Sequence, residues 1–186
     1  MSCTQYYVAQ SLDGYIAERD GGLDWLLRYD GEAGADASQA TDGEYDHFFA
    51  QVGAIVMGSG TYEFILAEED DRWPYAGTPC WVFSSRELPV PDGGGVRFAR
   101  GPVAPVHEQL RAAAGERNVW IVGGGGLASD FADAGLLDEL LLTVVPVVLG
   151  DGLPTFERSP GRRLHLSGVR PFSNGMTELC YDVGLR

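Results

Sequence analysis

The sequence of 186 residues carries a formal net charge of −14. That length is most simply one domain, spanning 1–186, with room for a substantial core. So acidic a chain, with no basic cluster, excludes nucleic acid and anionic membrane surfaces as natural partners, and no apolar run is long enough to span a bilayer.

All 13 basic residues are arginine. Without lysine there is no Schiff-base chemistry and no Walker-type GK[ST] loop. Any anion site must be built from arginine, hydroxyls and backbone N–H groups. Cys3, Cys80 and Cys180 lie far apart with no CxxC pair. Residues 1–5 lack the basic and apolar regions of a secretory leader. Reduced thiols and a cytoplasmic location are therefore expected.

Residues 4–10 read as the first strand. A polar, glycine-rich stretch follows to about Thr41, interrupted by Leu23, Asp24, Trp25, Leu26 and Leu27. Tyr45, Phe48, Phe49 and Val52 recur at helical spacing, and Thr41 with Glu44 three residues on suggests a capping box. Residues 54–57 form a short buried strand, turned by Gly58, Ser59 and Gly60 into a helix over 61–67. An acidic loop follows over 68–79, in which Glu68, Glu69, Asp70 and Asp71 read as a solvated run.

Strands are predicted over 80–83 and 96–98. A helix over 105–114 has Pro105 in its first turn and Gly115 past its end. The strand over 119–122 stops at four glycines, Gly123 to Gly126, and a helix from there ends near Gly135. A buried strand over 140–145 precedes an antiparallel pair, 164–170 and 177–183, around Ser173, Asn174 and Gly175. Strands alternating with helices imply a mainly parallel sheet with right-handed crossovers.

Three strand ends carry unusual residues: Gly58, Ser59, Gly60 and Thr61; Ser84, Ser85 and Arg86; and Gly123, Gly124, Gly125 and Gly126. In open α/β sheets ligands bind beyond the carboxyl ends of the strands. Glycine lets a backbone approach a ligand closely, and the first N–H groups of a helix seat a phosphate. Two hydroxyls and a guanidinium suit a phosphate monoester such as the 2′-phosphate of NADPH. Gly123, Gly125 and Ala128 also satisfy G-x-G-x-x-A, but a glycine run does so easily. The late position and the missing acid about 20 residues on exclude an ordinary Rossmann unit. His47, His107 and His165 share no metal-ligand spacing, so no metal is expected. Ser59 lacks the G-x-S-x-G context of a hydrolase nucleophile.

The run from Ala9 through Ser11, Leu12, Asp13 and Gly14 to Ile16 and Ala17 is followed by Leu23, Asp24 and Trp25. Next come Gly58, Ser59, Gly60, Thr61, Tyr62 and Glu63, then Val122 to Gly126, and lastly Pro146 to Gly152. This order and spacing resembles the dihydrofolate reductase superfamily. The closer resemblance is to the RibD C-terminal family, the reductase domain of bacterial bifunctional riboflavin deaminase–reductases. It implies an α/β, three-layer, dihydrofolate reductase-like fold. A mainly parallel central sheet would end in a C-terminal antiparallel hairpin, with helices on both faces. It also implies NADPH as cofactor, a small-molecule substrate and a homodimer.

Carried over, Gly58, Ser59, Gly60 and Thr61 would line the pyrophosphate with Val122, Gly123, Gly124, Gly125, Gly126, Leu127 and Ala128. Ser84, Ser85 and Arg86 would hold the 2′-phosphate. Ala9, Ile16 and Ala17 would lie near the nicotinamide. Ser59 stands where many relatives place an arginine that assists the cofactor phosphate, which leaves Arg86 to compensate. Hydride transfer to C=O or C=N also needs a proton source. Asp42, Glu44 and Asp46 are candidates, with Asp42 favoured by spacing and Asp13 a rival from the loop. Acids in a helix's first turn also simply suit its dipole. Trp25 and Phe49 are candidates for the substrate wall, although a tryptophan beside Leu23, Leu26 and Leu27 also reads as core.

The resemblance implies an NADPH-dependent reductase like 5-amino-6-(5-phosphoribosylamino)uracil reductase, with hydride transfer to a C=O or C=N group of a small heterocyclic or sugar-like substrate. Dihydrofolate reduction, and a nucleotide-binding protein that kept the fold without turnover, are the alternatives.

Overall fold

A computed structural model describes residues 2–29, 40–68, 73–159 and 161–184. Eight strands form one sheet: β1 (Thr4–Ser11), β3 (Val52–Gly58), β4 (Cys80–Phe83), β5 (Val96–Ala99), β6 (Asn118–Gly123), β7 (Glu139–Val145), β9 (Leu164–Pro171) and β10 (Thr177–Val183). Their order is β5-β4-β3-β6-β1-β7-β10-β9. Pairing is parallel from β5 to β7 and antiparallel from β7 through β10 to β9. Two short strands, β2 (Tyr15–Ala17) and β8 (Leu153–Pro154), pair beside it. No helix among the described residues is long and apolar enough to cross a membrane.

Strand alternation sends successive side chains to opposite faces and so builds two cores. Tyr6, Ala54, Val56, Trp81, Val119 and Ile121 face α4 (Val103–Ala114) and α5 (Gly125–Asp133), where they meet Val106, Leu110 and Phe131. Tyr7, Ile55, Met57, Cys80, Val82 and Trp120 face the other way, against α2 (Glu44–Ala50) and α3 (Ser59–Glu68). The result is the three-layer arrangement expected. One helical turn, α1 (Asp24–Leu27), follows β2.

Several boundaries differ from the sequence reading. Val52 opens β3 and does not extend the preceding helix, because its backbone pairs with Asn118 of β6. Gly43, not Thr41, is the N-cap of α2 and carries no side-chain cap; Thr41 lies two residues earlier and accepts from the Tyr45 N–H, while Glu44 turns to Arg170, so the expected capping box does not form. The glycine run is only half loop: Gly125 and Gly126 already belong to α5. A two-residue strand such as β8 has no readable periodicity. The predicted acidic loop falls partly outside the described residues, as does part of the polar stretch before Thr41.

Across one face, Ala9 pairs with Thr143, Thr143 with Glu178, and Glu178 with Arg170. Glu178 is 3% exposed, and its carboxylate accepts from Arg170 Nη1 at 2.7 Å. Burial raises the Glu178 carboxyl above its ordinary value, and Arg170 offsets this only in part. A carboxyl raised by folding contributes its stability below its unfolded pKa and loses it as pH climbs through the folded value. Glu178→Gln should therefore gain melting temperature relative to the parent as pH rises from about 4 toward neutrality. Thermal melts across that range check it. A relative loss with rising pH would show that the Arg170 pairing outweighs burial.

Candidate active site

The carboxyl ends of β1, β3 and β6 open into a cleft of about 810 Å³. Two glycine-bearing turns form its wall. β3 passes through Gly58 directly into α3, and β6 passes through Gly123 and Gly124 into α5. The N–H groups of Gly125, Gly126 and Leu127 precede the first intrahelical bond, from Ala128 N to Gly124 O, so they remain available to an anion. Gly123 has φ +146°, a conformation that suits glycine. A Cβ on Gly125 would lie 2.3 Å from the Pro154 carbonyl oxygen, so only glycine lets β8 pack against this turn. Gly60 opens on free space.

Of the expected cofactor residues, Ala9, Ile16, Ala17, Gly58, Ser59, Gly60, Thr61, Val122, Gly123, Gly124, Gly125, Gly126 and Leu127 all line this cleft. Ala128 does not; it is fully buried in the core beneath α5. Ser84, Ser85 and Arg86 do not line it either. The Ser84 hydroxyl donates to Arg86 O at 2.9 Å and accepts from Arg86 N at 3.0 Å, holding a tight turn after β4. The Arg86 guanidinium forks onto Glu63 of α3 at 2.9 and 2.5 Å. Reading a phosphate there requires Arg86 to exchange Glu63 for the ligand.

Sequence reasoning missed the acidic side of the cleft. Asp20, Asp130 and Glu157 line it, and both Glu157 carboxylate oxygens lie 2.9 Å from where a Cβ on Gly126 would stand. A carboxylate therefore already faces the helix end that would seat a phosphate. Arg158 next to it is engaged by Asp130 and Asp133, at 2.5 and 3.3 Å. Arg19, which lines the cleft, pairs with Asp151. Glu157 and β8 follow a turn whose motif was legible, but nothing local shows that the turn folds back over α5.

A second cavity of about 310 Å³ adjoins the first and shares Ala9 and Leu26 with it. Tyr7, Tyr45, Trp120, Leu27, Tyr29, Ala40, Thr41, Thr143 and Met176 complete its lining. Tyr45 and Trp120 meet edge to face at 6.1 Å. Burial raises the Tyr7 phenol, so it stays a neutral hydroxyl.

Neither expected substrate residue lines this cavity. Phe49 lies behind it, stacked on Tyr45 at 6.1 Å. Trp25 packs into a small core with Val145, Phe172 and Met176, so its neighbours Leu26 and Leu27 form the wall instead. None of the four candidate acids, Asp13, Asp42, Glu44 and Asp46, lines either cavity, and Asp13, Asp42 and Glu44 are engaged elsewhere. Asp42 accepts from the Ser173 hydroxyl and N–H at 2.5 and 2.8 Å, which lowers its carboxyl below the usual range. Glu44 pairs with Arg170 at 2.8 Å. Asp13 accepts from Ser11 Oγ, Gly150 N and Leu149 N, and the Ser11 bond chiefly lowers its carboxyl. It ties the end of β1 to the loop before β8 and does not approach the cavity.

The family model of the RibD C-terminal domain matches residues 97–177. YwjB of Bacillus subtilis, described as an uncharacterized protein, is 34% identical over 174 residues, spanning 93% of this chain and 94% of its own. This chain belongs to the RibD C-terminal domain family. A Shewanella sp. PV-4 protein named for riboflavin biosynthesis is 28% identical and superposes with TM-score 0.78, over 98% of this chain and 99% of its own. Dihydrofolate reductase of Enterococcus faecalis, complexed with NADP(H), superposes with TM-score 0.64 at 17% identity, over 98% of this chain and 96% of its own. The fold is thus dihydrofolate reductase-like.

In this RibD-type cleft, Gly60 and Gly125 separate ligand space from packing. Gly60→Phe should leave the melting point nearly unchanged yet abolish dinucleotide binding, because its bulk enters open cleft. Gly125→Ala should cost about 2–4 kcal/mol through its collision with Pro154. Thermal melts with and without NADPH check both. Unimpaired binding by the Gly60 variant would remove the β3–α3 turn from the site. Glu157→Gln should tighten NADPH by roughly fivefold, about 1 kcal/mol at a helix end, and less in high salt. Titrating nicotinamide fluorescence reads this directly, and unchanged affinity would show the phosphate seated elsewhere.

Proposed function

We propose that this chain is an NADPH-dependent reductase acting on a C=O or C=N group of a small heterocycle. One observation carries the reading: the glycine cleft adjoins, across Ala9 and Leu26, an aromatic cavity of substrate size. A dinucleotide in the first would put its reactive end beside a molecule in the second. The cradle fits such a group. Gly58, Gly60, Gly123 and Gly124 offer backbone without side chains, Ser59 and Thr61 add hydroxyls, and α5 aims its first N–H groups inward.

NADPH held there would supply a hydride to the substrate carbon and be released as NADP⁺, the substrate oxygen or nitrogen taking a proton. Ala9, Ile16 and Ala17 flank the position for the nicotinamide. Gly58 to Thr61 and Gly123 to Leu127 hold the pyrophosphate, and Arg86 turns from Glu63 to the 2′-phosphate. Tyr7, Tyr45 and Trp120 hold a flat ring and exclude bulk water from one side. The proton comes from water at the cavity mouth, since Asp13, Asp42 and Glu44 are committed to other bonds. The Shewanella relative's name supports riboflavin biosynthesis as the general setting. The absence of all four candidate acids from the lining of both cavities favours a second reading, a dinucleotide-binding protein without turnover.

Arg86→Ala should weaken NADPH by about tenfold, as loss of a charge-assisted phosphate contact does, and leave NADH nearly unaffected. Equal losses for both would show that Arg86 does not read the 2′-phosphate. NADPH binding with no oxidation by any carbonyl or imine heterocycle would favour the binding-only reading.

A further inference from the structure

We infer that the molecule accepted by the aromatic cavity is an uncharged, flat carbonyl-bearing heterocycle without a phosphate group. This rests on the reading of the larger cleft as the dinucleotide site. No acidic or basic side chain among the described residues lines the smaller cavity. Its walls are the rings of Tyr7, Tyr45 and Trp120 with the aliphatic ends of Leu26 and Leu27. A volume of about 310 Å³ accommodates two or three fused rings.

None of the nearby cations of the described residues lines it. Arg170, two strands from Thr143 on the same face of the sheet, is held between Glu44 and Glu178, at 2.8 and 2.7 Å. Arg28 follows the wall residue Leu27 but stays outside the cavity, in a loose exposed contact with Asp24 at 3.5 Å. The sequence connecting Tyr29 to Ala40 carries Asp30, Glu32 and Asp36 and no base, and the chain holds no lysine to reach in. A phosphate dianion here would lose its water and gain no partner, a cost that burial of an unpaired charge always imposes. The glutamate carboxylates of a folate meet the same obstacle.

One group in the cavity is ready for a neutral polar atom. Thr143 is 4% exposed and lines the floor; its Oγ1 makes no hydrogen bond of good geometry among the described residues, and the neighbouring Tyr7 phenol is the group that interacts with it. Its place in the row between Ala9 and Glu178 sets it next to the junction of the two cavities. A ring carbonyl or ring nitrogen satisfies it. An apolar ring system lacking such an atom would leave it without a hydrogen bond of good geometry.

A matched pair differing only in phosphate tests this: 4-methylumbelliferone, a flat lactone, and 4-methylumbelliferyl phosphate, titrated by coumarin and tryptophan fluorescence at slightly acid pH in the presence of NADP⁺. The neutral lactone should bind at least about tenfold more tightly than its phosphate. Thr143→Val, an isosteric change, should weaken the lactone by roughly tenfold while leaving NADPH titration unchanged. Equal or tighter binding of the phosphate, binding of neither compound, or indifference to Thr143→Val would overturn the inference. NADPH titrated alone keeps the two claims apart. Loss of dinucleotide binding with lactone binding intact defeats the reductase reading only; the converse defeats only the substrate class.

Discussion

Close approach of two backbones at Gly125 is the constraint on which the rest of the molecule depends. The Pro154 carbonyl occupies the space that any Cβ there would need. Because it can come so near, β8 lies across the first turn of α5 and pairs with β2 on its other side. That contact closes one wall of the cleft and leaves the helix N–H groups facing inward. A side chain at this one position would push β8 outward and flatten the cleft into open surface. Gly152 serves the same packing, since a Cβ on it would stand 2.2 Å from the Ala17 carbonyl oxygen. The glycines of this chain thus divide into those that open space for a ligand and those that let strands touch.

Electrostatics gives the cleft a character that its shape alone does not. With thirteen arginines against twenty-seven acids, nearly every cation near the site meets a carboxylate first. Arg86 is clasped by Glu63, Arg19 by Asp151 and Arg158 by Asp130. These pairs are largely exposed, so each contributes little to stability and is readily exchanged. An incoming phosphate therefore competes with internal anions and does not fall onto a bare positive patch. The backbone N–H groups at α5 cannot be neutralised this way except by Glu157, the one acid against that helix end. The smaller cavity is the opposite case: largely aromatic, with no charged side chain among the described residues that line it.

Much of this was legible before any coordinates. The strand and helix series, the C-terminal hairpin and the meeting of the Gly58 and Gly123 turns all follow from short-range patterns. Hydrophobic alternation reports strands, and a glycine-bounded strand end reports a turn. What misled was proximity in sequence standing in for proximity in space. Asp42, Glu44 and Asp13 have the chemistry of proton donors, yet Ser173, Arg170 and the Leu149–Gly150 backbone, all more than 120 positions away, take their carboxylates. Trp25 and Phe49 looked like pocket aromatics, but Trp25 leaves the cavity wall to Leu26 and Leu27, and Phe49 lies one helical turn on from Tyr45, stacked behind it.

By itself the sequence determined the class of fold, the absence of lysine chemistry, and the two glycine turns that make one rim able to approach a dinucleotide. Those are local properties: periodicity, composition and the conformational freedom of glycine act within a few residues. Tertiary structure alone decided which acids are already spent, where β8 lies, that Glu157 stands at the α5 terminus, and that no charged side chain among the described residues lines the adjoining cavity. Each of these depends on residues brought together across the sheet, and pairing between distant strands leaves no periodic trace in the chain.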